Sequence, residues 1–206
     1  AIVGGGVPLG AGNAWAQKHV GTTDVTVSYF GDGATNIGSV LETMNLAAAW
    51  KLPFAFFIEN NLYAVATSSA EISADGRFSV RGQGFSIPAW RVDGMDPLAV
   101  HLAMERAAER MRAGDGPAVI EAEVYRYFHQ NGPFPGSAFG YRAKEEEQSW
   151  RDRDPIVIHL YSEFLQRFRL AAEGKAGGGL RRPPERLRDR IRTFMDPLPF
   201  WYEPLE

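Results

Sequence analysis

The chain has 206 residues, of which 45% are hydrophobic and 23% are charged, so it is long enough to bury a sizeable core. Its net charge of -3, with no basic stripe of interleaved aromatic residues, argues against nucleic acid as a partner. The longest apolar runs are only as long as a strand, which argues against a membrane span. The absence of cysteine excludes disulfides and cysteine-ligated metals.

The first chemical motif is a Gly-Asp-Gly turn at residues 31–33, which follows a β-branched and aromatic run at residues 25–30. The run predicts a buried strand. Apolar residues then recur at helical spacing up to Trp50, and we expect that helix to begin at Thr35 or Asn36, since both are good caps. The free amides of its first turn would point at an anion.

A second apolar run, at residues 54–58, ends in Glu59-Asn60-Asn61. Two strands joined by a helix form a βαβ unit, whose ligand crevice lies beyond the carboxyl ends of the parallel strands. Asp32 and Asn61 would then share one crevice. Either turn alone is commonly structural, but oxygen ligands at the same end of neighbouring strands favour Mg²⁺ and a diphosphate.

Gly-Asp-Gly followed by Asn-Asn is similar to the thiamine diphosphate binding motif. The surrounding motifs resemble the alpha subunit of the 2-oxo acid dehydrogenases, over roughly residues 1–156. They include Val7-Pro8-Leu9-Gly10, Trp50-Lys51-Leu52-Pro53, Arg91-Val92-Asp93-Gly94-Met95-Asp96 and Tyr125-Arg126-Tyr127.

The resemblance implies an α/β fold, a mostly parallel sheet flanked by helices, with the binding domain at residues 1–150 and a helical C-terminal extension at residues 151–206. It implies oxidative decarboxylation of a 2-oxo acid with thiamine diphosphate and Mg²⁺, and acyl transfer to a lipoyl domain. The expected partner is a beta subunit, in an assembly of two alpha and two beta chains, which supplies the carboxylate that activates the pyrimidine. A cytoplasmic, bacterial-type complex is expected, with the mitochondrial matrix left open.

The same resemblance assigns the cofactor site residue by residue. The side chains of Asp32 and Asn61 and the backbone carbonyl of Tyr63 match the magnesium ligands. Gly33 and Ala34 match the backbone that meets the diphosphate, and Gly31 before them is assigned to the same cofactor site. Val7 and Leu9 match the segment that contacts the aminopyrimidine and holds the cofactor bent.

His129 is the candidate for acid-base chemistry or phosphate contact, in a loop where family members carry a histidine near the cofactor. Counting on from Tyr125-Arg126-Tyr127, the expected position holds Gln130, and the loop at residues 128–140 looks longer than usual. His129 then either takes the role by a one-residue shift or is a solvent-facing loop histidine. A similar choice applies to the glycine-bearing segment 81–84, either a mobile loop near the site or an ordinary surface turn.

Two alternatives stay open at this stage. Acetoin dehydrogenase shares the cofactor site and the lipoyl acceptor, and a non-catalytic assembly module would share the fold. The intact Asp32 and Asn61 favour an enzyme over such a module. The family has a long stretch before the segment at residues 2–12, so we expect an N-terminally incomplete chain that lacks the positions selecting the 2-oxo acid.

Overall fold

A computed structural model describes residues 2–156 of the chain. Residues 2–147 belong to one compact unit, and residues 148–156 belong to a second. Residues 157–206 lie outside the described part, so the predicted helical extension at residues 151–206 stays a prediction.

The described elements alternate between strands and helices. The helices are α1 (Gly6–Val20), α2 (Gly38–Ala49), α3 (Ser69–Ile72), α4 (Val80–Gln83), α5 (Pro97–Arg112) and α6 (Lys144–Arg151), with a 3₁₀ helix at Asp32–Asn36. The strands are β1 (Thr26–Gly31), β2 (Phe54–Asn60), β3 (Tyr63–Ala64), β4 (Thr67–Ser68), β5 (Ala89–Asp93) and β6 (Ala118–Glu123). None of the helices within residues 2–156 is both long enough and apolar enough to cross a membrane.

Four strands form one parallel sheet in the order β1-β2-β6-β5. Helix α2 connects β1 to its neighbour β2, and α5 connects β5 to its neighbour β6, so each pair is a βαβ unit. A short antiparallel ribbon of β3 and β4 follows β2 directly. The predicted α/β class, with a mostly parallel sheet flanked by helices, is confirmed.

Helices cover both faces of this sheet, which explains why β2 is apolar along almost its whole length. Phe54, Phe56 and Ile58 pack with buried residues of α1 and α2, whereas Ala55 and Phe57 pack with residues of α5. Each fully buried large side chain contributes roughly 1.5–3 kcal/mol. The two-residue period of a strand thus divides the core into two clusters, one on each face.

The segment after β1 corrects one prediction. The helix was expected to begin at Thr35 or Asn36, but those residues end a 3₁₀ helix, and α2 begins only at Gly38. The Thr35 hydroxyl donates to the Asp32 carbonyl at 2.6 Å, so it is not available to cap α2. Ile37, with extended backbone, separates the two helices.

Segment 81–84 forms most of α4 and is not a mobile loop in the structure. Gly82 is buried there, and a Cβ at this position would lie 2.7 Å from Cγ2 of Val119 in β6. Glycine therefore allows α4 to approach the sheet closely.

Two glycines of α1 test how tightly that helix packs on the sheet. A Cβ at Gly10 would lie 2.8 Å from Cε2 of buried Phe54, whereas a Cβ at Gly12 meets nothing within 4 Å. Gly10→Ala should lower the free energy of unfolding by about 1–3 kcal/mol through overpacking. The matched Gly12→Ala should raise it by about 1 kcal/mol, since alanine favours a helix. Urea unfolding measures both, and equal effects of the two substitutions would contradict this packing.

Candidate functional site

Asp32 and Asn61 meet at the carboxyl ends of β1 and β2, as the sequence predicts. The strands run parallel with Gly31 opposite Glu59, so the chain leaves both at the same edge of the sheet. The backbone N–H of Asn61 donates to Oδ1 of Asp32 at 3.3 Å. This contact brings the Gly-Asp-Gly turn against the Asn-Asn turn.

Asp32 is only 1% exposed, and its Oδ2 has no hydrogen-bond partner. Burial raises the pKa of this carboxyl, while the hydrogen bond from Asn61 and the positive charges of Arg126 and Arg142 act to lower it. A buried carboxylate oxygen without a partner is costly, and a bound cation would satisfy it. This is the main observation that fits a metal ion to the site.

The turn after β2 carries the Asn61 side chain, whose amide oxygen is the predicted second ligand. Oδ1 of Asn61 accepts from the Tyr63 amide at 3.3 Å, which fixes the side chain over its own turn. Leu62, between them, has a φ of 67°, the left-handed conformation that non-glycine residues rarely adopt. The described residues hold no cluster of three or more His, Asp or Glu side chains, so a metal here would depend on one carboxylate with amide and carbonyl oxygens.

Gly33 permits close contact between the 3₁₀ helix and the β3 ribbon. A Cβ at Gly33 would lie 2.6 Å from the Cβ of Ala64, far inside van der Waals contact. The glycine is therefore needed at this point of the motif for packing.

Two arginines that the sequence reasoning did not assign lie near Asp32. Arg142 is 5% exposed, donates to the backbone carbonyl of Asn61, and places its guanidinium 4.7 Å from the ring centre of Tyr63 and 4.3 Å from that of Tyr125. Arg126 donates to the Tyr141 hydroxyl at 2.8 Å. Neither forms an ion pair with any residue of the described part, so their charge is available to an anion.

Arg81 fixes the other end of the 3₁₀ helix. Its guanidinium donates to the Thr35 carbonyl and, at 2.7 Å, to Oδ1 of Asn36. The side chain reaches from α4 across to the segment that carries Asp32. Through Arg81, segment 81–84 therefore holds the 3₁₀ helix that carries Asp32.

His129 is 7% exposed, so the solvent-facing alternative is wrong. Its ring lies 4.5 Å from that of Phe139 and 6.2 Å from that of Tyr141, which in turn packs on Tyr63. Nδ1 accepts from the Asn131 amide at 3.2 Å, so a neutral ring carries its proton on Nε2. Gln130 is exposed, which favours His129 as the loop residue that faces the site.

The Val-Pro-Leu residues lie in the first turn of α1. Val7 is buried in the core between α1, α2 and the sheet, whereas the Leu9 side chain is 74% exposed. Contact of either residue with an aminopyrimidine stays a prediction. Of the two, only Leu9 has a side chain with a surface free for a ligand or another chain.

Comparison with known proteins agrees with this geometry. The family model described as "Dehydrogenase E1 component" matches residues 1–176. The chain belongs to this family. Among its relatives, the pyruvate dehydrogenase E1 component subunit alpha of Rhizobium meliloti is 46% identical over 156 residues, and that of Zymomonas mobilis is 39% identical over 195 residues. The testis-specific mitochondrial form of Homo sapiens is 44% identical over 158 residues.

These alignments cover 75%, 95% and 76% of the chain, but only 44%, 52% and 40% of the respective relatives. The chain therefore spans about half the length of the relatives it matches. Membership of the E1 family rests on the match over residues 1–176, which include every described residue named above.

The burial of Asp32 predicts a pH-dependent stability. Because its pKa in the folded protein is raised, the carboxyl favours folding below its ordinary pKa of about 4 and loses that contribution as the pH rises through the raised value. Asp32→Asn should therefore make the metal-free protein more stable at pH 7, with an advantage that shrinks towards pH 4. Urea unfolding with a chelator present measures this.

The exposed Asp24, before β1, is the control for that prediction. Asp24→Asn should change the free energy of unfolding by less than about 0.5 kcal/mol throughout the interval from about pH 4 to about pH 7. If the free energy of unfolding of Asp32→Asn differs from that of the unsubstituted protein by the same amount at every pH, the burial argument is contradicted.

Proposed function

We propose that this chain is the thiamine diphosphate-binding part of the alpha subunit of a 2-oxo acid dehydrogenase, and that it acts with a beta subunit. One observation carries the proposal: the buried Asp32 carboxylate, with one oxygen unpartnered, lies in contact with the Asn61 turn. The names of the relatives favour pyruvate over a branched-chain 2-oxo acid or acetoin.

Mg²⁺ would bind the side chains of Asp32 and Asn61 and the backbone carbonyl of Tyr63. Magnesium takes six oxygens in an octahedron and obtains the rest from phosphate and water, so three protein ligands suit a site shared with a diphosphate. The unpartnered Oδ2 of Asp32 would become satisfied by the metal. Asn61 keeps its orientation through the Tyr63 amide.

The diphosphate would meet the backbone at Gly31, Gly33 and Ala34. Arg126 and Arg142, which form no ion pair among the described residues, add positive charge near Asp32 and so favour an anion beside the metal. A charged phosphate in a partly water-excluded site gains more from such charges than it would in water.

Thiamine diphosphate, when bound, supplies a nucleophilic carbon and an electron sink for decarboxylation. The chain's own residues would position it: the metal ligands would hold one end, and the segment of Val7 and Leu9 would contact the aminopyrimidine. Leu9 is the exposed residue of the two, since Val7 is buried in the core. His129 would donate to a phosphate or a reacting oxygen through Nε2, because its Nδ1 accepts from the Asn131 amide.

The beta subunit would supply the carboxylate that activates the pyrimidine, in an assembly of two alpha and two beta chains. A lipoyl domain would accept the acyl group. Two of the three relatives named above come from bacteria, which supports a cytoplasmic complex of the bacterial type.

Replacement of Asp32 tests the proposal directly. Asp32→Ala should weaken Mg²⁺-dependent binding of thiamine diphosphate at least tenfold, about 1.4 kcal/mol or more, because it removes the one carboxylate ligand. Isothermal titration with the cofactor, with and without Mg²⁺, measures this. Asp24→Ala, at the opposite end of β1, is the matched control and should bind normally, whereas unchanged affinity in Asp32→Ala would refute the metal assignment.

Substitutions of the adjacent residues His129 and Gln130 test which of them acts as the loop histidine. His129→Ala should lower the activity of the reconstituted alpha and beta chains by about 10²–10⁴-fold if the imidazole transfers a proton. Gln130→Ala should have little effect, since that side chain is exposed. Steady-state assays with pyruvate measure both, and a larger loss in Gln130→Ala would mean that the one-residue shift is wrong.

A further inference from the structure

Glu121 is a fully buried carboxylate in the middle of the sheet, on β6. It lies among Val119, Phe56 and other apolar residues on the face covered by α1 and α2, where a charge is costly unless its oxygens are satisfied. Both oxygens are. Oε1 accepts from Nδ2 of Asn60 at 2.8 Å, and Oε2 accepts from the Ser79 amide at 2.7 Å.

Asn60 connects this carboxylate to the proposed metal turn. While its Nδ2 donates to Glu121, its Oδ1 accepts from the amide of Leu62 at 3.0 Å. Leu62 is the residue with a φ of 67°, a conformation that persists only where neighbouring groups hold it. The bond from its amide to Asn60 is therefore one of the contacts that keep the turn in place.

The orientation of the Asn60 amide depends on Glu121. An amide can rotate to exchange its oxygen and nitrogen, but a carboxylate facing Nδ2 accepts only a donor. Glu121 thereby fixes Oδ1 of Asn60 towards Leu62. The neighbours of Leu62 on either side are Asn61 and Tyr63, the proposed magnesium ligands.

We propose that Glu121 is a positioning residue for the metal: through Asn60 it sets the turn that presents Asn61 and Tyr63 to Mg²⁺. The inference rests on the proposed function, since it concerns the same metal. Arg91, on the neighbouring strand β5, forms an ion pair with the same carboxylate, with its Nε 3.8 Å from Oε1. No contact between Glu121 and the metal or the cofactor is required.

Glu121→Gln tests the inference with almost no change in shape. A glutamine accepts through one oxygen only, so its NH₂ group faces either Asn60 Nδ2 or the Ser79 amide, donor against donor. Residues behind metal ligands typically change metal affinity by 10–100-fold, and we expect Mn²⁺ binding at a fixed thiamine diphosphate concentration to weaken by about that factor. Electron paramagnetic resonance of free Mn²⁺ measures it in the full-length protein with its beta subunit.

Glu123→Gln is the matched control. Glu123 is on the same strand, also pairs with Arg91, and is half-exposed. The same loss of charge there should leave Mn²⁺ affinity unchanged. Equal weakening in both variants would mean a general electrostatic effect and would overturn the inference.

A double variant that moves the carboxylate from residue 121 to residue 60 distinguishes a positioning role of Glu121 from a merely structural one. In Asn60→Asp with Glu121→Gln, the glutamine NH₂ can donate to the new carboxylate while its oxygen accepts from the Ser79 amide, so every bond is kept with one reversed. This double variant should bind Mn²⁺ much more tightly than either single variant. Asn60→Asp alone should bind weakly, because two carboxylates then face each other.

Normal Mn²⁺ affinity in a folded Glu121→Gln would overturn the inference and leave the proposed function intact. If that variant does not fold, the double variant decides: weak Mn²⁺ binding by a folded double variant would overturn the inference equally. Failure of the unsubstituted protein to bind Mn²⁺ with thiamine diphosphate would instead overturn the proposed function, and this inference with it.

Discussion

The parallel pairing of β1 with β2 is the constraint on which the rest of the site depends. With Gly31 opposite Glu59, the two strands end side by side, and the turns that follow must share the space beyond the same sheet edge. A one-residue slip would turn every side chain of a strand to the other face, so the division of the apolar core between the two faces also fixes the site. The packing of apolar side chains on the two faces of the sheet thus fixes the positions of the turns that carry Asp32 and Asn61.

Within that frame, the protein maintains a buried carboxylate at some cost to its own stability. Asp32 has one oxygen unpartnered, and burial raises its pKa. Arg126 and Arg142 offset part of this cost without forming an ion pair with any described residue. A ligand that binds only the folded state adds stability equal to RT ln(1 + [L]/Kd), so metal and cofactor binding would offset the cost of burying this carboxylate. Stability and function are therefore linked at this one residue.

The sequence was sufficient to predict the features that depend on local pattern. The two strands, their parallel pairing and the approach of Asp32 to Asn61 all follow from short apolar runs that end in turns. The predicted helix start was wrong because the Thr35 hydroxyl bonds within its own 3₁₀ helix, a choice that capping preference does not reveal. Arg142 and Glu121 were not predicted at all, since their partners lie 81 and 61 residues away in the chain. The sequence around a residue shows no periodic pattern that would indicate such a long-range contact.

The most direct test of the account is the position of the metal. A crystal structure of the alpha and beta chains with Mn²⁺ and thiamine diphosphate, with the metal placed by its anomalous signal, would show it. We predict the metal about 2.0–2.3 Å from a side-chain oxygen of Asp32, Oδ1 of Asn61 and the backbone carbonyl of Tyr63, with the diphosphate completing its coordination. A metal bound elsewhere, with the Asp32 carboxylate still unpartnered, would contradict the account.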